Sequence, residues 1–137
     1  MMNTLLSLAK NNKNMVLLHT DAVDCDQCQE VAKFFPDRSF SFGLSEANMI
    51  SCAAGFALAG KLPFVIGNSE FLLSRAFDQF YNDVCVANLN VKVIAMGKSD
   101  LDDKLLKIFP NLRIISEDED VYDLMLKEYG PMYFQKI

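Results

Sequence analysis

Hydrophobic positions along this chain follow two rhythms. Short unbroken apolar runs recur at Met15–His19 (MVLLH), 63–66 (PFVI), 91–95 (VKVIA), 112–115 (LRII) and 132–135 (MYFQ). Each is strand-length, bounded by turn residues and apolar on both faces, which predicts buried strands. A shorter extended piece is predicted at 40–42. Between the runs, apolar residues recur three or four positions apart. That spacing predicts helices over 2–12, 25–35 (ending before Pro36), 46–59 and 70–88. The helix over 70–88 carries Leu73, Phe77, Phe80 and Val84 on one stripe. A short helix over 101–108 precedes Pro110. A last one is predicted to start from a Ser116/Glu119 capping box and reach about Tyr129. Ser45 is placed to N-cap the helix over 46–59 and Gly60 to end it. Apolar strands alternating with helices predict an α/β fold in three layers, α/β/α, around a mainly parallel sheet. No repeat or linker interrupts the pattern, so residues 1–137 are expected to form one domain. Ligands of such sheets bind beyond the C-terminal strand ends. Those ends are His19-Thr20-Asp21, Gly67-Asn68-Ser69 and Met96-Gly97-Lys98.

One helix departs from the usual surface pattern. Residues 46–59 read EANMISCAAGFALA, opening on a glutamate and continuing in Ala, Gly, Ser and Cys. Small residues let a helix approach other backbones closely. Gly55 costs about 1 kcal/mol relative to Ala in a helix interior, which a close packing partner would offset. Such a helix belongs deep in a domain or in a large subunit interface. Glu46 has two readings. As a first-turn charge it interacts favourably with the helix dipole, by ~0.3–1 kcal/mol. As a buried carboxyl it would handle protons.

Charge narrows the classes. A net charge of −5 with a pI near 4.7, and no Lys/Arg cluster, argues against nucleic-acid binding. No apolar run reaches the ~18 residues a membrane span needs, and the N-terminus lacks the apolar core of a signal peptide. A soluble cytoplasmic protein is expected. Of the four cysteines only Cys25 and Cys28 are close, as CDQC. A zinc site wants a second pair or two histidines, and His19 is the chain's one histidine. The pair is therefore read as reduced thiols, with a CxxC redox or metal site the weaker alternative.

The stretch PDRSFSFGLSEANMISCAAGFALAGKLPFV resembles the pyrimidine-binding domain of transketolase-type thiamine diphosphate enzymes. The family pattern runs from a PDR-like lead through G-[IL]-x-E-x-x-M to an AAG-[LF]-A-L-x-G helix and a K-x-P strand. LLSRAFDQFYNDVCVANLNVKVI resembles the family's RAxDQ and NDV elements with an L-x-V-K strand. PNLRIISEDEDVYDLMLKEYGPMYFQ is similar to its closing segment. The resemblance implies that Glu46 hydrogen-bonds the cofactor's aminopyrimidine ring and stabilises its imino tautomer. The exocyclic nitrogen then takes a proton from the thiazolium ring. It also implies that two subunits meet at the small-residue helix, with the cofactor between them.

Three departures from the pattern shape the expectation. The GDG … N motif that holds magnesium and diphosphate does not occur in this sequence. Both are therefore expected on a partner chain carrying the diphosphate-binding domain. The family's stacking phenylalanines fall, counting back from Arg75, on Asn68, Ser69 and Leu72, with Phe71 one residue away. Ser69, Phe71, Leu72 and Arg75 are the candidate cofactor-binding residues beside Glu46. The loop after 91–95 is short and lacks the family's G-x-T-H histidine. Lys98 is a candidate substrate residue there, against a plain helix-cap loop. His19 and Asp21 are candidates at the cleft edge, against a structural hydrogen bond for His19. The leading expectation is the pyrimidine-binding chain of a split thiamine diphosphate enzyme, oligomeric, acting on C–C bonds next to a carbonyl and inactive alone. The alternative is a non-catalytic homodimer that kept the fold and lost the cofactor.

Overall fold

The computed structural model describes residues 4–117 and 119–137. Six strands form one parallel sheet in the order β2-β1-β3-β4-β6-β5: β1 Met15–His19, β2 Ser39–Ser41, β3 Leu62–Asn68, β4 Lys92–Met96, β5 Arg113–Ile115 and β6 Met132–Lys136. The expected α/β architecture is present, and every strand pairing is parallel rather than merely most of them.

Alternation along the strands sorts the core into two layers. Val16, Leu18, Val65, Val93, Ala95 and Tyr133 face one way. They pack under α3 (Glu46–Leu58), α4 (Ser69–Leu73) and a π-helical segment, Gln79–Val86. Met15, Leu17, Phe64, Ile66, Ile94 and Met132 face the other way, under α1 (Leu5–Asn11), α2 (Asp26–Phe34) and α6 (Val121–Lys127). Both faces are covered, which is why the strands read as unbroken apolar runs. A short α5, Asp102–Leu105, follows β4. Residues 2 and 3 of the first predicted helix lie outside the described residues.

Several predicted boundaries need correction, each for a local reason. The helix expected over 70–88 is broken at 74–76 and continues with π winding. The Ser74 hydroxyl donates to the Glu70 carbonyl at 2.6 Å. The Ala76 amide reaches back five residues to the Phe71 carbonyl at 3.1 Å, a π-type bond. The predicted Ser116/Glu119 box does not cap α6. Glu119 does bond the Ser116 amide and hydroxyl, but Arg113 pairs with the same carboxylate at 2.8 Å. Asp120 is the N-cap instead, accepting from the Asp123 amide. Ser45 sits at the N-cap of α3, yet its hydroxyl donates to the Phe42 carbonyl at 2.7 Å and caps nothing. Gly60 ends α3 as expected. Its φ of +81° is one that L residues rarely adopt, and Lys61 N–H closes the helix on the Phe56 carbonyl.

Lys92 on β4 is fully buried, its Nζ donating to the carbonyls of Glu128 at 2.7 Å and Gly130 at 2.8 Å. These bonds tie the chain after α6 to β4, which β6 then joins. Burial lowers the Lys92 pKa from 10.5 to about 8, with Glu128 opposing weakly. Between those two values the unfolded chain holds the proton and the fold does not. Rising pH therefore favours the fold through this group. Urea unfolding of wild type and Lys92→Met at pH 7.5 and pH 10 checks this. The wild type should gain on the variant with rising pH, by roughly 2–3 kcal/mol at most. A difference that shrinks with pH would show that Lys92 is not held in this way.

Candidate cofactor site

The loop 42–45 runs beside the C-terminal end of β1. The Phe42 amide donates to the His19 carbonyl and the Asp21 amide to the Gly43 carbonyl, both within 3 Å. This fixes where α3 begins, and Glu46 is its first residue. The side chain is 0 % exposed. Its Oε2 accepts from Arg75 Nη1 at 3.0 Å, and its Oε1 has no hydrogen-bond partner among the described residues.

Arg75 reaches Glu46 from the break after α4. Asn68, at the end of β3, caps α4 by accepting from the Phe71 amide at 3.2 Å. Leu72 turns down onto Gly67, where an added Cβ would stand 3.2 Å from the leucine side chain. Phe71 is left half-buried, and the Arg75 guanidinium lies 4.2 Å from its ring centroid. Arg75 also reaches the Leu44 carbonyl at 3.4 Å, a long contact. A half-exposed Arg (48 %) thus links a fully buried carboxylate to an aromatic face.

Of the sequence-predicted residues, the structure joins Glu46, Arg75 and Phe71 by direct contact. Ser69 and Leu72 are buried within α4, at 1 % exposure each. His19 and Asp21 line a cavity of about 200 Å³ with Cys25 and Cys28, under α2 and on the other sheet face. Desolvation holds the His19 pKa below its usual value, against the raising influence of Asp21 and the Thr20 backbone. Lys98 is exposed on the loop after β4. In that loop Asp102 Oδ2 accepts from the Ser99 amide at 2.7 Å and from Gln135. The direct Glu46–Arg75 pair was not anticipated. Its sequence signal is an arginine just after a predicted helix start, at the same sheet end as a helix-initial glutamate. One cysteine expectation is corrected: Cys25 and Cys28 are joined as a disulfide, while Cys52 and Cys85 are free.

α3 packs through Met49, Ile50, Ala53 and Ala54. Ser51 also ties it to the π-helical segment through Asp83 Oδ2 at 2.8 Å. Gly55 meets no neighbour within 4 Å of an added Cβ, so the expected close partner is not among the described residues. Asn48, Cys52, Gly55 and Ala59 form a stripe of small or short side chains on the outer face. Exposed Leu44 (64 %) and Leu58 (75 %) stand near its two ends. No helix among the described residues is long and apolar enough to cross a membrane. No group of three or more His, Cys, Asp or Glu among them is arranged to hold a metal.

A six-stranded parallel sheet in this order, covered by helices on both faces, defines the class of fold. Residues 1–101 match the transketolase pyrimidine-binding domain, and the chain belongs to that family. It is 29 % identical over 152 residues to one subunit of the apulose-4-phosphate transketolase of Actinobacillus succinogenes, covering 98 % of this chain and 49 % of that protein. It is 32 % identical over 147 residues to a putative transketolase C-terminal section of Methanocaldococcus jannaschii, covering 95 % and 46 %. Its fold superposes on a split-gene transketolase solved as an inactive β4 tetramer, with a TM-score of 0.84, 28 % identity and coverage of 96 % and 48 %. The chain spans about half the length of these relatives.

Arg75 is the only hydrogen-bond partner of the Glu46 carboxylate among the described residues, so removing it strands a buried charge. Arg75→Met should cost about 1–2 kcal/mol. That is below the usual cost for a buried pair because Arg75 is half exposed and water can replace it. The same change in a Glu46→Gln background should cost less, since no charge is stranded. Urea midpoints of the four proteins measure the difference. Equal costs in both backgrounds would mean that Arg75 acts through Phe71 and the Leu44 carbonyl, without the Glu46 charge.

Proposed function

We propose that this chain is the pyrimidine-binding subunit of a split, transketolase-like thiamine diphosphate enzyme. The observation that carries the reading is the free Oε1 of Glu46. A buried carboxylate oxygen without a partner is costly, and here Arg75 occupies only its neighbour. A heteroaromatic ring nitrogen suits that atom as a hydrogen-bond partner. In this reading Oε1 holds or shares the proton at the aminopyrimidine. Arg75 fixes the carboxylate plane and balances its charge. Phe71 offers the aromatic surface beside it, and the buried Ser69 and Leu72 support α4 from below. When bound, thiamine diphosphate supplies the carbanion-stabilising chemistry that cleaves or forms a C–C bond next to a carbonyl. A ketose-like or 2-oxo acid substrate fits that chemistry. His19, Asp21 and Lys98 are proposed only as strand-end residues on the substrate side, with no part in holding the pyrimidine.

The diphosphate and Mg²⁺ are assigned to a partner chain, because no GDG … N motif occurs in this sequence. The stripe Asn48/Cys52/Gly55/Ala59 supports an interface there. Short side chains on the outer face, with open space among the described residues at Gly55, let a second helix approach closely, as Gly55 in mid-helix would otherwise only destabilise. The similarity to a single subunit of one transketolase and to a split-gene transketolase supports a two-chain enzyme.

A second reading is a self-assembled chain without catalysis. It is favoured by Ser69 and Leu72, which are buried and bring no ring, so that Phe71 is the one aromatic among the candidate cofactor residues. One experiment separates the two. The tagged chain is recovered from its native cells and its partners are identified by mass spectrometry. The complex is then assayed with thiamine diphosphate and Mg²⁺, beside its Glu46→Gln form. A partner bearing GDG … N, with activity that drops about 10²–10⁴-fold in the variant while the assembly elutes unchanged, is expected. Full activity in Glu46→Gln would overturn the assignment. A chain that pairs only with itself and shows no calorimetric binding of thiamine diphosphate with Mg²⁺ would establish the second reading.

A further inference from the structure

The cysteine pair lies on the sheet face away from Glu46, and the proposed cofactor chemistry does not use it. Cys25 occupies the N-cap of α2, a helix of nine residues, and Cys28 lies one turn in. Cys25 Sγ accepts the Cys28 amide hydrogen at 3.2 Å. The two residues differ in exposure: Cys25 is half-buried, whereas Cys28 is buried. Cys25 also borders two cavities. One, of about 320 Å³, is lined among others by Leu5, Ile66, Ile94, Met96, Tyr122 and Lys136. The other, of about 200 Å³, is shared with Cys28 and His19.

We propose that Cys25–Cys28 is a thiol–disulfide exchange site for small thiols and disulfides, with Cys25 as the sulfur attacked. Three physical features support this and are independent of the thiamine diphosphate reading. A sulfur at a helix N-terminus that accepts a backbone N–H is stabilised as thiolate. The exposed carboxylates of Asp24 and Asp26 oppose this, but they act through solvent while the amide contact is direct. A half-buried first cysteine beside a buried second one leaves one sulfur open to attack and the other as the resolving group. The cavity at Cys25 is of a size to admit a small molecule. Its rim holds Asp24 and Asp26 against Lys136, which favours cationic or neutral thiols over anionic ones.

The exchange balances without a further reagent. A thiolate RS⁻ attacks Cys25 Sγ, the Cys25–Cys28 bond breaks, and Cys28 leaves as thiolate and takes up a proton. A second RS⁻ attacks the R sulfur of the mixed disulfide and releases the Cys25 thiolate. Two RSH are oxidised to RSSR, and the protein disulfide is reduced to two thiols by the same two electrons.

Cystamine, a small cationic disulfide, is the probe. The full chain is reduced, freed of reductant and exposed to cystamine at pH 7, then quenched with acid and mapped by mass spectrometry. Cys25 and Cys28 are expected to close to a disulfide, and cysteamine to reopen them. In Cys28→Ser the adduct should collect on Cys25, on the order of 10-fold faster than on an unstructured cysteine peptide. In Cys25→Ser, Cys28 should react more slowly than that peptide. A wild-type pair that stays as two thiols under excess cystamine would overturn the proposal. So would a Cys25 adduct forming no faster than the peptide's in a folded Cys28→Ser chain. If that variant does not fold, the order of alkylation in the reduced wild type decides. Cys25 labelled before Cys28 and faster than the peptide upholds the proposal, and any other order refutes it.

Discussion

A carboxylate with no access to solvent must be answered from outside its own helix, and the Glu46 side of the sheet is arranged around that need. Glu46 can face inward only because loop 42–45 is pinned to the end of β1 by backbone bonds. Its charge can be tolerated only because Arg75 reaches it from another element. Arg75 can reach it because the chain leaves α-geometry at 74–76 before continuing as a π-helix. An uninterrupted α-helix from 69 to 86 would advance each residue by about 100° and carry Arg75 around with its stripe. The break frees that one side chain from the helix phase. Irregular winding beside a functional group is a recurrent device, and here its geometric consequence is the ion pair.

The pair also explains why only half of the carboxylate is satisfied. Arg75 approaches from the solvent side, stacked on Phe71, and engages Oε2. Oε1 points where no donor among the described residues follows. A fold selected only for stability would fill that position with a donor or replace the glutamate by an apolar residue, because buried pairs seldom improve on a hydrophobic substitute. Retaining a half-satisfied carboxylate makes physical sense when its missing partner arrives with a ligand.

Much of this was legible in the sequence, and the limits of that legibility have physical causes. The strands were readable because both sheet faces are buried, so runs such as MVLLH and PFVI lack polar interruptions. Glu46 stood out because a small-residue helix gives a charged first residue nowhere ordinary to go. The break at 74–76 was hidden because Leu73, Phe77, Phe80 and Val84 keep helical spacing through it. The Ser74 hydroxyl bond to Glu70 and the five-residue bond from Ala76 to Phe71 mark the break, and neither leaves a periodic trace. The start of α6 was misread for a similar reason. Glu119 has the spacing of a capping box, but Arg113 competes for its carboxylate. CDQC was ambiguous in principle, since the same four residues serve zinc, redox exchange or plain thiols. The structure removes the plain-thiol reading by joining Cys25, at the head of α2, to the buried Cys28 as a disulfide.

The two sites lie on opposite faces of the sheet, yet they lean on one stretch of backbone. From His19 to Asp21 the chain passes from β1 into the cysteine loop. Along that passage the His19 carbonyl and the Asp21 amide hold Phe42 and Gly43, in the loop that leads directly into Glu46. Ser41 Oγ adds a bond to the Asp21 carboxylate at 3.1 Å. The loop that leads to the cysteines and the loop that aims the glutamate are therefore parts of one hydrogen-bonded corner at the end of β1. Side-chain contacts between the faces are blocked by the sheet, and this corner is a direct backbone route from one site to the other. The corner is short and backbone-bonded, with few soft torsions to absorb a displacement. A rearrangement at Cys25 that moved Asp21 would have to strain or release the Gly43 bond, whereas one confined to α2 would leave Glu46 where it is.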